Sequence, residues 1–197
     1  MEDRSSIYLI EEPPPRALAP SPTSPGDAEL SAEASFRRLY DQHLGIVAAY
    51  ASRRTTSPED AADVVAETFL VAWQRVEAIP HRDPHLWLLG VARNVLWSRD
   101  RAERRRRRLG AKLAQTAAFR QQRSGLNQQD RGLAHAFAEL DDADKDILGM
   151  VAWEGLDAAE IAAVLNCSTN AAKIRLHRAR SRLRAALADT DTEEETR

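Results

Sequence analysis

Cysteine is almost missing from this chain: Cys167 is the only one. An internal disulfide and a thiolate zinc cluster are thereby excluded, and a reducing compartment fits. Glycine stands at only 8 positions while Ala, Leu and Arg are abundant, a balance that favours helices over strands. Aromatics make up 6% and hydrophobics 43%, which supports compact helical units and excludes one large aromatic core. No apolar run approaches the ~18 residues of a membrane span. Residues 1–34 also lack the apolar centre of a signal peptide. The expectation is an all-α, cytoplasmic chain with no membrane contact.

Catalytic signatures are missing too. The five histidines form no HExxH pair and join no Gly-rich phosphate loop. His81, Asp83 and His85 come nearest to a metal clasp, and a loop of that kind is ordinarily just polar. No nucleophile–base set is visible, so no enzyme, no cofactor and no metal site are expected.

What is present is segregated charge. The net charge of −2 conceals two basic blocks between acidic ends. From Arg93 to Arg123 eleven basic residues face only Asp100 and Glu103. From Asn166 to Arg184 stand Lys173, Arg175, Arg178, Arg180, Arg182 and Arg184 without one acid. Such blocks point to a polyanionic partner.

Residues 1–34 hold Pro13, Pro14, Pro15, Pro20, Pro22 and Pro25 among serines, alanines and acids. Such a stretch buries too little apolar area to offset its ordering entropy, so a disordered arm is expected. Ile7 to Ile10 is its one mildly apolar segment. Helical periodicity begins at Phe36 and continues through Leu39, Tyr40, Leu44, Val47 and Ala51. Ser57-Pro58-Glu59-Asp60 is a helix start: an N-cap serine, proline in the first turn, and acids at the positive end of the dipole. The helix behind it turns Ala61, Val65, Phe69, Ala72 and Val76 inward. Asp83-Pro84 opens a third helix. Leu86 to Ala92 is apolar nearly all round and should be buried on most sides. The four tryptophans, Trp73, Trp87, Trp97 and Trp153, are expected to pack cores, with DNA contact as the other role for Trp87.

Residues 110–131 read as a linker. Beyond it Leu133, Phe137 and Leu140 form a short helix, and Asp141-Asp142 caps the next, which buries Ile147, Leu148 and Val151. Gly155 ends that helix. Asp157 with Glu160 resembles a capping box. After the turn Asn166-Cys167-Ser168, Ser168 caps a long last helix with Ala172, Leu176, Ala179, Leu183 and Leu187 inward. A short helix, a tight turn and a longer basic helix is a helix-turn-helix. The outward face of its second helix presents Asn170, Ile174, His177, Arg178 and Ser181, flanked by Lys173 and Arg175. Arg178 suits bidentate contact with guanine, Ile174 a thymine methyl, and Lys173 and Arg175 the phosphates.

Four segments carry a family resemblance. Asp60-Ala-Ala-Asp63-Val-Val-Ala-Glu67-Thr-Phe-Leu-Val-Ala-Trp73 resembles the polymerase-binding helix of extracytoplasmic-function (ECF) sigma factors of the sigma-70 family. His85-Leu-Trp-Leu-Leu-Gly-Val-Ala-Arg-Asn94 resembles their −10 helix. Glu154 to Leu165 and Lys173 to Leu183 resemble their −35 helix-turn-helix. The order of two separate modules makes the match specific, where a helix-turn-helix alone is not.

The resemblance implies a sigma2-like domain over 35–108, a linker over 109–131, a sigma4-like domain over 132–187 and an acidic tail over 188–197. It implies that Asp60, Asp63, Glu67 and Trp73 dock on the clamp of the polymerase largest subunit. It implies that Arg82, His85, Arg93 and Asn94 hold melted −10 bases, with Arg101 and Arg104 of the basic run following the backbone. It implies that Asn170, Lys173, Ile174, Arg175, His177 and Arg178 read the −35 element. The function implied is to direct core RNA polymerase to promoter DNA. The resemblance also allows an anti-sigma partner that covers these surfaces; the residues themselves specify none. Ala62 and Ala66 replace the family's usual Glu and Gln, and Ile174 replaces a small polar residue. A stand-alone dimeric repressor is the alternative reading, but it leaves the Asp60 to Trp73 helix unexplained.

Overall fold

In a computed structural model of the chain, residues 25–110 and 128–195 are described, with side chains over 32–102 and 132–188. Among them run seven α-helices and no strand: α1 (Pro25–Ser52), α2 (Pro58–Gln74), α3 (Pro84–Gly110), α4 (Gln128–Glu139), α5 (Asp142–Ala152), α6 (Ala158–Val164) and α7 (Thr169–Glu195). One 3₁₀ turn, Val76–Ala78, follows α2. The all-α architecture is as expected.

Local signals set the helix starts. The Ser57 hydroxyl accepts the Asp60 N–H at 3.0 Å, with Pro58 in the first helical turn. The Asp141 carboxylate accepts the Asp144 N–H at 2.7 Å. Asp157 and Glu160 form a complete capping box. Ser168 accepts the Ala171 N–H at 3.2 Å. Gly155 takes φ +68°, a conformation that an L side chain resists; the chain reverses there and the Leu156 N–H reaches the Met150 carbonyl at 3.0 Å. Replacing Ser57 by Ala removes one cap and is expected to lose about 1 kcal/mol, read as a melting point lowered by about 2–4 °C.

The helices outrun the expected boundaries. The arm expected over 1–34 is helical from Pro25 onward. Proline is tolerated in a first turn and alanines follow it, so propensity carries the helix where apolar periodicity does not. Residues 1–24, with Ile7 to Ile10, lie outside the described residues. So do 111–127 of the linker, whose ends are taken up by α3 and α4. The acidic segment from 188 continues α7 as far as Glu195.

Helices α1, α2 and α3 bury Val47, Tyr50, Val64, Phe69, Leu88 and Leu89 between them. Helices α4 to α7 bury Ala136, Leu140, Met150, Ile161, Leu176 and Ala179. Each large aliphatic side chain withdrawn from water contributes about 1.5–3 kcal/mol. The inward face of α2 is rotated from the expected one: Val64 and Thr68 are fully buried and Val65 only partly. Thr68 is admitted because its hydroxyl donates to the Val64 carbonyl at 2.7 Å, so no polar group is left unmatched. Trp87 packs against the core from a half-buried position. Trp73 and Trp153, expected in cores, are 45% and 49% exposed.

The two groups of helices share one continuous core. The backbones come close at Gly90 of α3, where an added Cβ would stand 3.1 Å from the Val164 carbonyl oxygen of α6. Glycine at that point lets the two backbones meet.

Candidate nucleic-acid interface

Three surfaces follow from this packing. The first is the outer face of α7. Ala172, Leu176 and Ala179 are buried against α5 and α6, so the helix phase is fixed. Asn170, Lys173, Ile174, Arg175, His177 and Arg178 are then all exposed, as the sequence requires. Ile174 is 44% exposed in the middle of that face, an apolar spot among hydrogen-bonding groups. Asn166 in the preceding turn takes φ 47°, which asparagine tolerates better than most residues. The tight turn sets α7 across α6 in the helix-turn-helix arrangement. Arg182, one turn beyond, binds Asp144 of α5 by a short charged hydrogen bond and ties the far end of α7 to the core.

The second surface lies on α2. Asp60, Asp63 and Glu67 are exposed along one side. Arg99 of α3 reaches Asp63 at 3.3 Å and Glu67 at 3.4 Å, so part of the acidic face is already neutralised. Trp73 ends the row. It packs edge-on against Phe36 at 5.1 Å between ring centres, and it borders a groove lined by Phe36, Arg37, Tyr40 and Asp41. An acidic stripe ending in an exposed aromatic suits a basic protein partner.

The third surface surrounds the start of α3, and the expected residues there separate. Arg82 is almost wholly exposed before the helix, 3.6 Å from Asp83. Asn94 and Arg101 are exposed and His85 is half-buried. The side chain of Arg104 lies outside the described ones. His85 faces His43 of α1 at 6.2 Å between ring centres. Burial first, and His85 second, lower the His43 pKa below the ordinary 6.5. The folded chain therefore disfavours the charged form. Stability present above pH ~6.5 is lost as pH falls through the lowered value. A His43→Gln chain is expected to show a flatter fall in melting temperature between pH 7 and pH 5.

Arg93 is the exception on this surface. It is not directed to solvent: its guanidinium lies over the Trp97 ring at 4.6 Å, and its Nε donates to Asp146 of α5 at 2.6 Å. Asp146 also accepts from Tyr50 at 3.1 Å and from Arg54 at 3.2 Å. Glu154, whose side chain is fully buried, accepts both terminal nitrogens of Arg54 at 3.1 Å and Arg53 at 2.9 Å. Burial, then the charge of Asp146, hold the Tyr50 phenol well above the ordinary tyrosine range, so it remains a donor. Burial opposes the Arg54 charge, but Tyr50, Glu154 and Asp146 outweigh it and raise its pKa.

Sequence reasoning missed Tyr50, Arg53, Arg54 and Asp146 altogether, and read Glu154 only as the start of a motif. The available signal was Asp146 beside Ile147 on an otherwise apolar face of α5. A charge at such a position requires a partner, but the sequence does not say which one.

Known proteins show the same two-part plan. The sigma-70 region 2 family matches residues 39–108, and the sigma-70 region 4 family matches residues 131–183. The ECF RNA polymerase sigma factor SigL of Mycobacterium tuberculosis is 35% identical over 162 residues, covering 80% of this chain and 92% of SigL. The RNA polymerase sigma factor CnrH of Cupriavidus metallidurans is 31% identical over 191 residues, covering 86% of this chain and 99% of CnrH. The structure of CnrH in complex with the cytosolic domain of CnrY aligns with a TM-score of 0.53 at 26% identity, over 84% of this chain and 98% of CnrH. The sigma factor RpoE of Bartonella quintana, solved with the anti-sigma factor NepR, shares the fold with a TM-score of 0.59 at 23% identity, over 78% of this chain and 96% of RpoE. With both conserved regions matched in order and relatives aligned over most of their length, the chain belongs to the sigma-70 family, among the ECF RNA polymerase sigma factors.

Proposed function

We propose that the chain directs core RNA polymerase to promoters through three separate faces, each with its own partner. Residues 35–108 form the sigma2-like unit. Asp60, Asp63, Glu67 and Trp73 dock on the clamp of the largest polymerase subunit. Arg82, His85, Asn94 and Arg101 hold the opened −10 strand, with Arg93 and Arg104 joining them. Residues 132–187 form the sigma4-like unit, in which the outer face of α7 reads the −35 element in the major groove. The role is that of a non-catalytic, cytoplasmic regulator, and among the described residues no helix is long and apolar enough to cross a membrane.

The single observation that carries this reading is the coexistence of an exposed reading face on α7 with an acidic, aromatic-ended face on α2. A repressor needs only the first. SigL and CnrH are named as sigma factors, and CnrH and RpoE have been solved with CnrY and NepR. A comparable anti-sigma protein is proposed as a partner of this chain.

Transcription in vitro with bacterial core polymerase on a promoter library tests the reading. Transcripts that depend on the protein and share two upstream elements at fixed spacing are expected. DNA binding by the chain alone, with no transcripts, is the result that would replace this reading with the repressor.

A further inference from the structure

The charge cluster between the two units has an unusual division. The bases of its ion pairs, Arg53, Arg54 and Arg93, come from α3 or from the turn just after α1. The acids of those pairs, Asp146 and Glu154, come from α5 or the turn behind it, while Asp100 of α3 and Lys145 of α5 line the same cavity. The contacts span 53 to 101 residues of sequence. Each carboxylate is held as a phosphate would be. Glu154 receives the paired fork of Arg54, and Asp146 receives one N–H each from two guanidinium groups plus a phenol. Planar cations beside aromatic rings complete the setting: Arg54 lies 3.6 Å from the Tyr50 ring centre and Arg93 lies 4.6 Å from that of Trp97. Fork-shaped donors next to stacking rings are the common equipment for holding single-stranded nucleic acid.

The closed arrangement also conflicts with the proposed function. Elements centred near −10 and −35 lie about 25 base pairs apart, or about 85 Å at 3.4 Å per pair. A compact chain of this size has a radius of gyration of about 16 Å, hence a diameter near 40 Å. One closed molecule cannot reach both elements, so the two units separate on the promoter. Separation strips Asp146 and Glu154 from the three arginines.

We propose that Arg53, Arg54 and Arg93 form a phosphate-binding site for the single-stranded promoter DNA, and that Asp146 and Glu154 occupy this site as internal phosphate mimics while the units are closed. Strand binding and closure are then mutually exclusive. Arg53 and Arg54 extend the strand-binding surface beyond the −10 residues named above. The inference rests on the sigma-factor reading for its ligand, but its test needs no polymerase. Buried ion pairs nearly cancel their own desolvation cost, so the charge cluster itself is exchangeable for a strand, and closure is held chiefly by the shared apolar core.

The test uses the full chain and a fluorescent oligo-dT strand, with binding followed by anisotropy across a salt series. Donor and acceptor dyes on Glu77→Cys and Arg184→Cys, in a Cys167→Ser background, report the separation of the units. Gly90→Leu wedges α3 from α6 without altering any charge. It is expected to lower energy transfer and raise strand affinity about tenfold or more, since affinity falls by the fraction of molecules that are competent. Its salt slope should stay near the wild-type value, because the bound strand makes the same three phosphate contacts in both chains and only the competent fraction differs. Asp146→Asn with Glu154→Gln is expected to do the same. Adding Arg53→Ala and Arg54→Ala to the Gly90→Leu chain should abolish most of the gain and take about 1.4 from the slope.

The dye-labelled chain with no opening substitution supplies a further measurement: titrated oligo-dT should lower its energy transfer in step with binding, because linkage is reciprocal. Helix content by circular dichroism confirms that each variant is folded. The proposal is overturned if the opened Gly90→Leu chain binds no tighter, if replacing the two arginines leaves its salt slope unchanged, or if oligo-dT binds the dye-labelled chain that has no opening substitution without separating the units. Loss of polymerase-dependent transcription with the masking intact counts against the sigma-factor reading alone.

Discussion

Reversing the acidic face of α2 with Asp63→Arg and Glu67→Arg is expected to abolish polymerase-dependent transcription while leaving the fold and the α7 reading face in place. The two effects separate because the residues sit in different electrostatic surroundings. Among the described residues, Asp63 and Glu67 pair with Arg99, and all three are at least partly exposed. Exposed pairs of this kind are worth about 0–1 kcal/mol, so losing them and crowding Arg99 costs little. At a protein interface the same reversal sets like charges against each other after water has left, which costs several kcal/mol. Even 3 kcal/mol is more than a hundredfold in affinity. A pull-down of core polymerase and a transcription assay should both fall by at least that factor. The melting temperature should move by only a few degrees, and duplex binding by α7 should be unaffected. The neutral pair Asp63→Asn with Glu67→Gln should fall between the two. A reversed chain that still transcribes within tenfold of wild type would remove α2 from the polymerase contact.

Much of this surface was legible in the sequence because amphipathic helices announce their own phase. Ala172, Leu176 and Ala179 repeat at helical spacing and are buried, so the exposure of Asn170, Ile174 and Arg178 followed by rotation alone. Caps were equally readable: Ser57, Asp141, Asp157 and Ser168 each accept the N–H that their position predicts. What failed was contact between units distant in sequence. Nothing local distinguishes Arg93, buried under Asp146 from 53 residues away, from Arg101 on the surface. Both read as members of one basic run. Tyr50 stands outside the apolar stripe read from the sequence, yet it is fully buried, and Asp146 satisfies its hydroxyl. Helix extension beyond the apolar pattern failed for the opposite reason. Propensity continues α1 back to Pro25 without leaving a periodic signature.

The other large expected effect concerns which base pairs α7 reads. Asn170, Ile174 and Arg178 recur every fourth residue, so their Cα atoms rise in steps of about 6 Å. Two base pairs of B-DNA rise about 6.8 Å. A helix lying along the groove therefore offers these three side chains to positions about two pairs apart. Arg178, an exposed fork on that line, is suited to the O6 and N7 of one guanine. Arg178→Ala is expected to cost about 1–3 kcal/mol on the preferred −35 sequence, or about 5- to 150-fold. The loss should vanish when that single pair is replaced, since the variant no longer distinguishes it. Preference two pairs away, under Ile174, should persist. Lys173→Ala supplies the contrast. A phosphate contact carries no sequence information, so its loss should weaken every site alike and reduce the salt slope by about 0.9. Binding selections on randomised −35 duplexes at two salt concentrations measure both quantities at once. If Arg178→Ala weakened all sequences equally and flattened the salt dependence, its guanidinium would belong on a phosphate. The reading of bases would then fall to Asn170, Ile174 and His177, the other exposed groups of the same face.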